Sequence, residues 1–324
     1  MGVLRITLSN KSRAALFLAV ATTAGCAAAP RLEDYCTPLP EDVTAEIDSA
    51  KDETAQKYWA YAVLSNNVYE AAGHPRIWID PNKWQAVCDD KQQTKSSDCE
   101  VDKPGKGLEA KTYLRWPDGV NKGQPDELIF AFRGTTSISD WWCGNLGDCQ
   151  YDEADSYVKT RLDKYRALYP TVAIVATGHS LGGGLAQHIA FCVAGATAVA
   201  FNTSPRIHKH DCAAFTSNEL TEAEEQSIER TRIVRIHQHA EILSWIRHLF
   251  SSNNYKDTVY NFSGGSLLSR HAMTPLAMGL TKVAGCPIQK GLNGFSSQGQ
   301  PDIEAVPART CAASTVAFHC APSS

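Results

Sequence analysis

The sequence predicts an α/β fold in which a central, mostly parallel sheet is flanked by helices. Short apolar runs, typical of buried strands, alternate along the chain with amphipathic or charged segments that are typical of helices. The connections between them are short, which favours parallel strands joined by right-handed crossovers. A glycine-rich turn follows one apolar run directly, at residues 178–184. We expect the sheet to be organised around the strand before this turn.

Each element follows from a local pattern. The first predicted helix covers residues 53–72, where aromatic side chains recur on one face. Residues 78–107 are polar, contain cysteines and are predicted to form loops. Residues 108–114 alternate apolar and polar side chains, as in a half-buried strand. The other predicted strands are residues 127–132, 172–176, 196–201 and 232–237. One further helix is predicted directly after residue 182, and three more are predicted at residues 155–169, 219–230 and 272–280.

The N-terminus has the pattern of an export signal. Three basic residues precede an apolar stretch at residues 14–24, which is too short to span a bilayer. The next residues, 23–26 (TAGC), resemble the lipobox of a bacterial lipoprotein, in which Cys26 would be lipidated and would anchor the protein to a membrane surface. An ordinary signal peptide cut nearby and a retained anchor remain as alternatives. All three predict an extracytoplasmic location, in the bacterial cell envelope or secreted.

Charge excludes one class of partner. The chain has 31 Lys and Arg against 35 Asp and Glu, and loss of residues 1–25, with three basic and no acidic residues, changes the net charge from −4 to −7. A strongly basic nucleic-acid-binding surface is therefore not expected, and nothing indicates a polyanionic substrate.

The cysteines indicate disulfides. Apart from Cys26 the chain has ten, an even number, and in an exported protein this predicts disulfide bonds. No C-x-x-C occurs, so zinc binding has little support. Sequence leaves the pairing open, and proximity along the chain suggests Cys88–Cys99, Cys143–Cys149, Cys311–Cys320 and then Cys192–Cys212, with Cys36–Cys286 remaining.

The glycine-rich turn contains a candidate nucleophile. Residues 178–182 are GHSLG, a G-x-S-x-G motif between a predicted buried strand and a predicted helix. In this context the serine, Ser180, occupies a sharp turn at a helix N-terminus, where backbone N–H groups can stabilise an oxyanion. The alternative is a tight strand-to-helix turn with an incidental serine.

A serine nucleophile needs a general base and an acid that orients it, in the chain order serine, acid, histidine for this kind of turn. Glu241 is the first carboxylate after the strand at residues 232–237, and Asp211 and Asp257 are weaker candidates. Among the later histidines, His271 follows a glycine-containing loop and opens a predicted helix. We therefore predict the triad Ser180, Glu241 and His271.

Residues 132–142, FRGTTSISDWW, add an independent motif after another buried strand. Here the chain resembles the class 3 lipases, whose F-R-G-[ST] segment and lid start match residues 132–135 and 138–141. The turn at residues 178–183 matches their nucleophile elbow, and FNTSPR at residues 201–206 is similar to a later segment of theirs. The resemblance covers roughly residues 108–280.

The resemblance implies an α/β-hydrolase fold and further site residues. The backbone N–H groups of Thr135 and Leu181 would form the oxyanion hole, and Ile138, Trp141 and Trp142 would belong to the lid. The family acid is nearly always Asp, so Glu241 departs from the pattern. A Cys143–Cys149 bridge would turn the lid into a short closed loop in place of a freely hinging helix.

These observations predict an exported serine carboxylic-ester hydrolase, similar to triacylglycerol lipases, that acts on lipid or small ester substrates without a cofactor or metal. The alternatives are a non-catalytic cell-envelope lipoprotein that uses the fold for binding, and phospholipase or acyltransferase chemistry on the same triad. Metal binding by the histidine pairs 208/210 and 237/239 is a weaker alternative. The predicted segments are a signal peptide at 1–25, a tether at 26–50, the hydrolase domain at 51–285 and a disulfide-stapled tail at 286–324.

Overall fold

A computed structural model describes the central part of the chain. Its described residues are 39, 41–69, 76–77, 79–88, 101–104, 107–120, 122–134, 147–212, 214–215, 220–244, 247 and 257–285. The predicted signal peptide, Cys26, Thr135, the lid residues Ile138, Trp141 and Trp142, and the C-terminal tail lie outside them. The predicted division into segments therefore stays a prediction.

Seven strands and seven helices follow one another in the described part of the chain. The strands are β1 (Trp84–Val87), β2 (Ala110–Arg115), β3 (Glu127–Phe132), β4 (Ala173–His179), β5 (Thr197–Phe201), β6 (Ile233–Gln238) and β7 (Asp257–Tyr260). The helices are α1 (Glu41–Ala45), α2 (Ser49–Asn67), α3 (Gly147–Leu168), α4 (Leu181–Cys192), α5 (Glu222–Thr231), α6 (Leu267–His271) and α7 (Met273–Val283).

The strands form one sheet in the order in which they occur in the chain. The pairs β1–β2 and β2–β3 are antiparallel, and every pair from β3 to β7 is parallel. Ligand and catalytic sites of such sheets lie beyond the carboxyl ends of the parallel strands. The predicted fold class, a mostly parallel sheet flanked by helices, is confirmed.

Helices cover both faces of the sheet. Alternation along β3 shows the two layers, because Leu128 and Phe130 pack into the cluster with α3 and α4, whereas Ile129 and Ala131 pack into the cluster with α2 and α7. All four of these side chains are fully buried. Burial of large aliphatic and aromatic side chains contributes about 1.5–3 kcal/mol each relative to exposure, so the two layers hold the central strands rigidly.

Two short strands and several boundaries differ from the sequence prediction. Residues 78–107, predicted to form loops, contain strand β1, and Asp257 begins the edge strand β7, where no strand was predicted. The helix predicted at 272–280 is α7, which runs from Met273 to Val283, and an unpredicted short helix, α6, precedes it, separated at Ala272, whose ψ of 137° is not helical. Helix α2 starts before residue 53, because the Asp48 side chain caps it by accepting from Lys51 N at 2.8 Å.

One predicted disulfide is present in the described residues. Cys192, at the end of α4, is bonded to Cys212 in the loop after β5, with 5.3 Å between the Cα atoms. Cys88 is also disulfide-bonded. The other predicted pairs lie wholly or partly outside the described residues. Among the helices that the structure describes, none has the length and apolar character needed to cross a bilayer.

Candidate active site

Ser180 occupies the sharp turn between β4 and α4. Its backbone angles, φ 57° and ψ −123°, are unfavourable for any residue with a Cβ atom. The surrounding backbone holds this conformation, because Ser180 N donates to Phe201 O at 3.0 Å and Ser204 N donates to Ser180 O at 3.0 Å. A strained serine at the carboxyl end of a central strand and the start of a 12-residue helix is the arrangement expected of a nucleophile elbow.

The glycines on either side of Ser180 are required by close backbone approach. A Cβ atom at Gly182 would overlap the carbonyl of Phe132 at the end of β3, and one at Gly178 would overlap the carbonyl of Gly182. Helix α4 therefore passes directly over the ends of two neighbouring strands. This contact brings the turn at Ser180 against the loop that follows β3, where the oxyanion-hole residue Thr135 is predicted.

An acid–base pair is formed by two residues that are 30 positions apart. His271 Nδ1 lies 2.6 Å from Glu241 Oε2, and both side chains are buried. Glu241 follows β6, and His271 ends α6, so the contact joins two separate elements at the carboxyl ends of the parallel strands. With the carboxylate accepting at Nδ1–H, the neutral imidazole keeps Nε2 as its acceptor, which is the tautomer that a general base requires.

Three donors surround the Glu241 carboxylate. Oε2 accepts from Leu243 N at 2.8 Å as well as from His271, and Oε1 accepts from Arg247 Nη2 at 2.5 Å. Burial raises the pKa of Glu241, but the hydrogen bond and charge of His271, the charge of Arg247 and the Leu243 N–H together lower this pKa to about 2. Glu241 is therefore ionised at neutral pH although its side chain is fully buried.

The backbone of His271 is fixed as firmly as its ring. Its carbonyl oxygen accepts from His179 Nε2 at 2.6 Å and from Asn202 Nδ2 at 3.1 Å. Asn202 Oδ1 in turn accepts from Gln238 N at 2.7 Å. Side chains next to Ser180 and at the end of β5 therefore tie His271 to the ends of three parallel strands.

His179 also connects to the loop after β3 through a buried tyrosine. Because the His271 carbonyl can only accept, His179 Nε2 must donate, and in the tautomer with the proton on Nε2 alone, Nδ1 accepts from the Tyr69 hydroxyl at 2.9 Å. The same hydroxyl accepts from Gly134 N at 2.9 Å. Burial raises the pKa of Tyr69 well above its ordinary value, so the hydroxyl remains a donor. Tyr69 and His179 thus link the residue before Thr135 to His271.

Removal of the Tyr69 hydroxyl should weaken this link. We expect Tyr69→Phe to lower kcat for ester hydrolysis about 10-fold with little change in KM, because Gly134 N and His179 Nδ1 lose their partner and Gly134 supports the oxyanion loop. Tyr157→Phe is the matched control, since the buried Tyr157 hydroxyl bonds Thr112 and Asp102 at 2.8 Å in the other layer. Each variant should lose about 1–3 kcal/mol of stability. An equal loss of kcat in both would contradict the link.

The structure brings some predicted site residues together and leaves others undescribed. Ser180 and Leu181 lie at the start of α4, and Glu241 contacts His271. The predicted site residues did not include four side chains that hold the site in place, which are His179, Tyr69, Asn202 and Arg247. Position inside the G-H-S-L-G motif was an available signal for His179, and position inside FNTSPR was one for Asn202, whereas Tyr69 and Arg247 carried none.

The histidine pairs considered for metal binding have protein partners. His208 Nε2 accepts from Arg206 Nε at 2.8 Å, and His210 Nε2 lies 3.3 Å from Glu225 Oε1. A different group has suitable spacing, because ligand atoms of Asp155, His188 and Cys192 lie within 4.8 Å of one another. The Cys192 sulfur is bonded to Cys212, however, and so is not available as a thiolate ligand.

The sheet order, the strained serine turn and the helices on both faces define a lipase-like α/β hydrolase. Within that class, the profile of the Tle-like phospholipase domain, described as phospholipase-like, matches residues 60–280, which is more than half of the sequence. The chain therefore belongs to the Tle-like phospholipase domain family. No curated protein matches the sequence. The narrower assignment to class 3 lipases stays a prediction.

Solved lipase structures resemble the chain in fold. Lip2 lipase from Yarrowia lipolytica shares 15% identity over 67% of this chain and 80% of its own, with a TM-score of 0.40. The native Rhizomucor miehei lipase propeptide complex shares 17% identity over 69% and 77%, with a TM-score of 0.39. A lipase from Rhizopus microsporus var. chinensis shares 12% over 73% and 84%, with a TM-score of 0.40. Likeness at this level carries no argument about substrate.

Proposed function

We propose that the protein is a serine carboxylic-ester hydrolase that cleaves lipid esters, with phospholipids as the first class to test. The observation that carries the proposal is the 2.6 Å contact between His271 Nδ1 and Glu241 Oε2, in the same fold as the strained turn at Ser180. A buried ionised carboxylate on an imidazole, at the edge of a sheet that also presents a serine elbow, is the arrangement needed for acyl transfer through serine.

In the proposed reaction, Ser180 Oγ attacks the ester carbonyl while His271 Nε2 takes the hydroxyl proton. The carbonyl oxygen becomes an oxyanion, for which the N–H groups of Leu181 and Thr135 are the proposed donors. The tetrahedral intermediate collapses, the C–O bond to the alcohol breaks, and His271 returns the proton to the leaving alkoxide. Water, deprotonated by His271, then attacks the acyl carbon, the bond to Ser180 Oγ breaks, His271 returns the proton to Ser180 Oγ, and the carboxylic acid leaves. Glu241 stays ionised and stabilises the imidazolium.

The substrate class and location rest on further support. The family to which the chain belongs is described as phospholipase-like, which favours phospholipid over other esters. The predicted export signal and the predicted lipidation at Cys26 would place the enzyme at a membrane surface, and the Cys192–Cys212 disulfide fits an oxidising compartment.

Covalent labelling tests the chemistry. We expect a fluorophosphonate probe to label the folded protein, to map by peptide mass spectrometry to Ser180, and to leave heat-denatured protein unlabelled. Absence of label on folded protein would refute the serine hydrolase. Release of fatty acid from phosphatidylglycerol vesicles, compared with a triacylglycerol emulsion and p-nitrophenyl butyrate, tests the substrate class. Turnover of the soluble ester alone would refute the lipid substrate while leaving the chemistry in place.

A further inference from the structure

Arg247 bridges the acid of the proposed triad to a neighbouring turn. Its Nη2 donates to Glu241 Oε1 at 2.5 Å, and its Nη1 donates to the backbone carbonyl of Thr203 at 2.9 Å. The guanidinium is largely buried, with 11% of its side chain exposed, and the Glu241 side chain is fully buried. Because the planar guanidinium donates to two fixed acceptors, it has little conformational freedom, and it fixes the orientation of the carboxylate beside it.

The longer acid makes such a partner necessary. Glutamate has one more rotatable bond than aspartate, so its carboxylate needs additional contacts to stay in a single orientation. Oε2 is used by His271 and Leu243, and both of these bonds lie on one side of the carboxylate. Arg247 holds the opposite oxygen. The three contacts together determine how the carboxylate presents Oε2 to the imidazole.

Arg247 also acts on the charge of a second pair of neighbouring groups, His237 and Asp257. Burial and the charge of Arg247 lower the pKa of His237, which leaves this buried β6 histidine neutral near neutral pH. Burial raises the pKa of Asp257 on β7, but contact with His237 and the charges of Arg235 and Arg247 lower it below its ordinary value, so Asp257 is ionised.

The charged groups of this region are Glu241 and Asp257, which are negative, and Arg235 and Arg247, which are positive, and the His179 ring centroid lies 4.7 Å from that of His271. Of these groups, Glu241 contacts the imidazole, and Arg247 contacts Glu241. Loss of the positive charge at residue 247 would leave the Glu241 carboxylate beside the imidazole without its positive partner. Protonation of His271 would then be favoured at a higher pH than in the wild type.

We propose that Arg247 is a positioning residue for the Glu241–His271 pair: its guanidinium fixes the carboxylate oxygen that faces away from the imidazole and balances the carboxylate's charge. The proposal rests on the proposed ester hydrolase function and adds a residue to its machinery. Arg247 acts through Glu241 and has no contact with substrate in this mechanism.

Steady-state kinetics of the full-length protein with p-nitrophenyl butyrate, measured across pH, test the proposal. For Arg247→Gln we expect kcat to fall about 10- to 100-fold with KM within about 2-fold of wild type. The acidic limb of the kcat/KM profile should shift to higher pH by roughly half a pH unit or more. Arg247→Lys keeps the charge but reaches only one acceptor, so the limb should return to its wild-type position with part of kcat recovered.

Arg161→Gln is the matched control, because Arg161 is another largely buried arginine and its Nη2 donates to Asp102 at 2.8 Å in the layer of α3. The Arg161→Gln variant should be less stable than the wild type, but the acidic limb of its kcat/KM profile should stay at the wild-type pH. If Arg247→Gln behaves as Arg161→Gln does, Arg247 is only structural and the proposal is wrong.

Imidazole NMR gives a readout that does not depend on turnover. The His271 resonance, assigned with His271→Asn, should titrate at higher pH in Arg247→Gln than in wild type, and at the wild-type position in Arg247→Lys. An unchanged titration in Arg247→Gln would overturn the proposal. Failure of the proposed function would be seen separately, as absence of fluorophosphonate labelling in the wild type.

Discussion

Ser180→Ala is expected to reduce kcat for p-nitrophenyl ester hydrolysis by about 10⁶-fold while the protein stays folded. The acyl-enzyme cannot form without the hydroxyl, whereas the backbone N–H groups and the fold that bind the substrate remain. KM, where it can be measured, should change little. Retention of more than a small fraction of the activity in protein free of contaminating esterase would show that Ser180 is not the nucleophile.

The backbone conformation at residue 180 supplies a matched control for this variant. Both Ser180→Ala and the wild type keep a Cβ atom at φ 57° and ψ −123°, so their unfolding midpoints should agree closely. Ser180→Gly relieves this conformation and should be more stable than Ser180→Ala by about 1 kcal/mol, despite the greater flexibility of an unfolded chain with glycine. Calorimetry compares the three proteins. Equal stability of both variants would argue against strain at the elbow.

The central sheet could be predicted because the apolar sequences of its strands show that these strands are buried. The runs that form β3, β4 and β5 are apolar on both faces, which is how a strand between two helical layers must be composed. The turn at Ser180 was equally clear, since the glycines that allow α4 to approach the neighbouring strand lie next to the serine in the sequence. Order along the chain then pointed to Glu241 and His271.

The elements that were missed depend on distant partners. Strands β1 and β7 have only four residues each and lie at the edges of the sheet, so no apolar run marks them. Tyr69 contacts His179 across 110 positions, and the Thr203 carbonyl that Arg247 binds is 44 positions away from it. Contacts of this kind are set by how the layers pack, and no local spacing encodes them.

The short helix that ends at His271 was also missed. A helix from 272 was predicted, and α7 begins one residue later, at Met273. The unpredicted helix α6 ends at His271, and the non-helical ψ of Ala272 separates it from α7. The interruption leaves the His271 carbonyl outside a helical hydrogen bond and available to His179 and Asn202. Tertiary bonds at the site thus outweigh the preference for a continuous helix.

Glu241→Gln should lower kcat by about 10⁴-fold with little change in shape, because the substitution replaces an acceptor that three donors surround. His271 Nδ1 and Leu243 N face Oε2, and Arg247 Nη2 faces Oε1. An amide has a single acceptor oxygen. When this oxygen is directed at the charged guanidinium, the NH₂ group faces His271 and forces Nδ1 to accept, which puts the proton on Nε2 and removes the base.

Glu241→Asp keeps the charge and tests geometry alone. It should lose less activity than Glu241→Gln, about 10- to 100-fold, because the shorter side chain keeps an ionised acceptor but reaches Arg247 and His271 less well.

The pH dependence of stability gives a second test of Glu241. The pKa of Glu241 is lowered to about 2 in the folded protein, so its ionisation stabilises the fold above about pH 4.5, and this contribution is lost as the pH falls toward 2. Unfolding midpoints of wild type and Glu241→Gln, measured from pH 7 to 3, should therefore converge at the acidic end. Activity near the wild-type level in Glu241→Gln would show that another group orients His271.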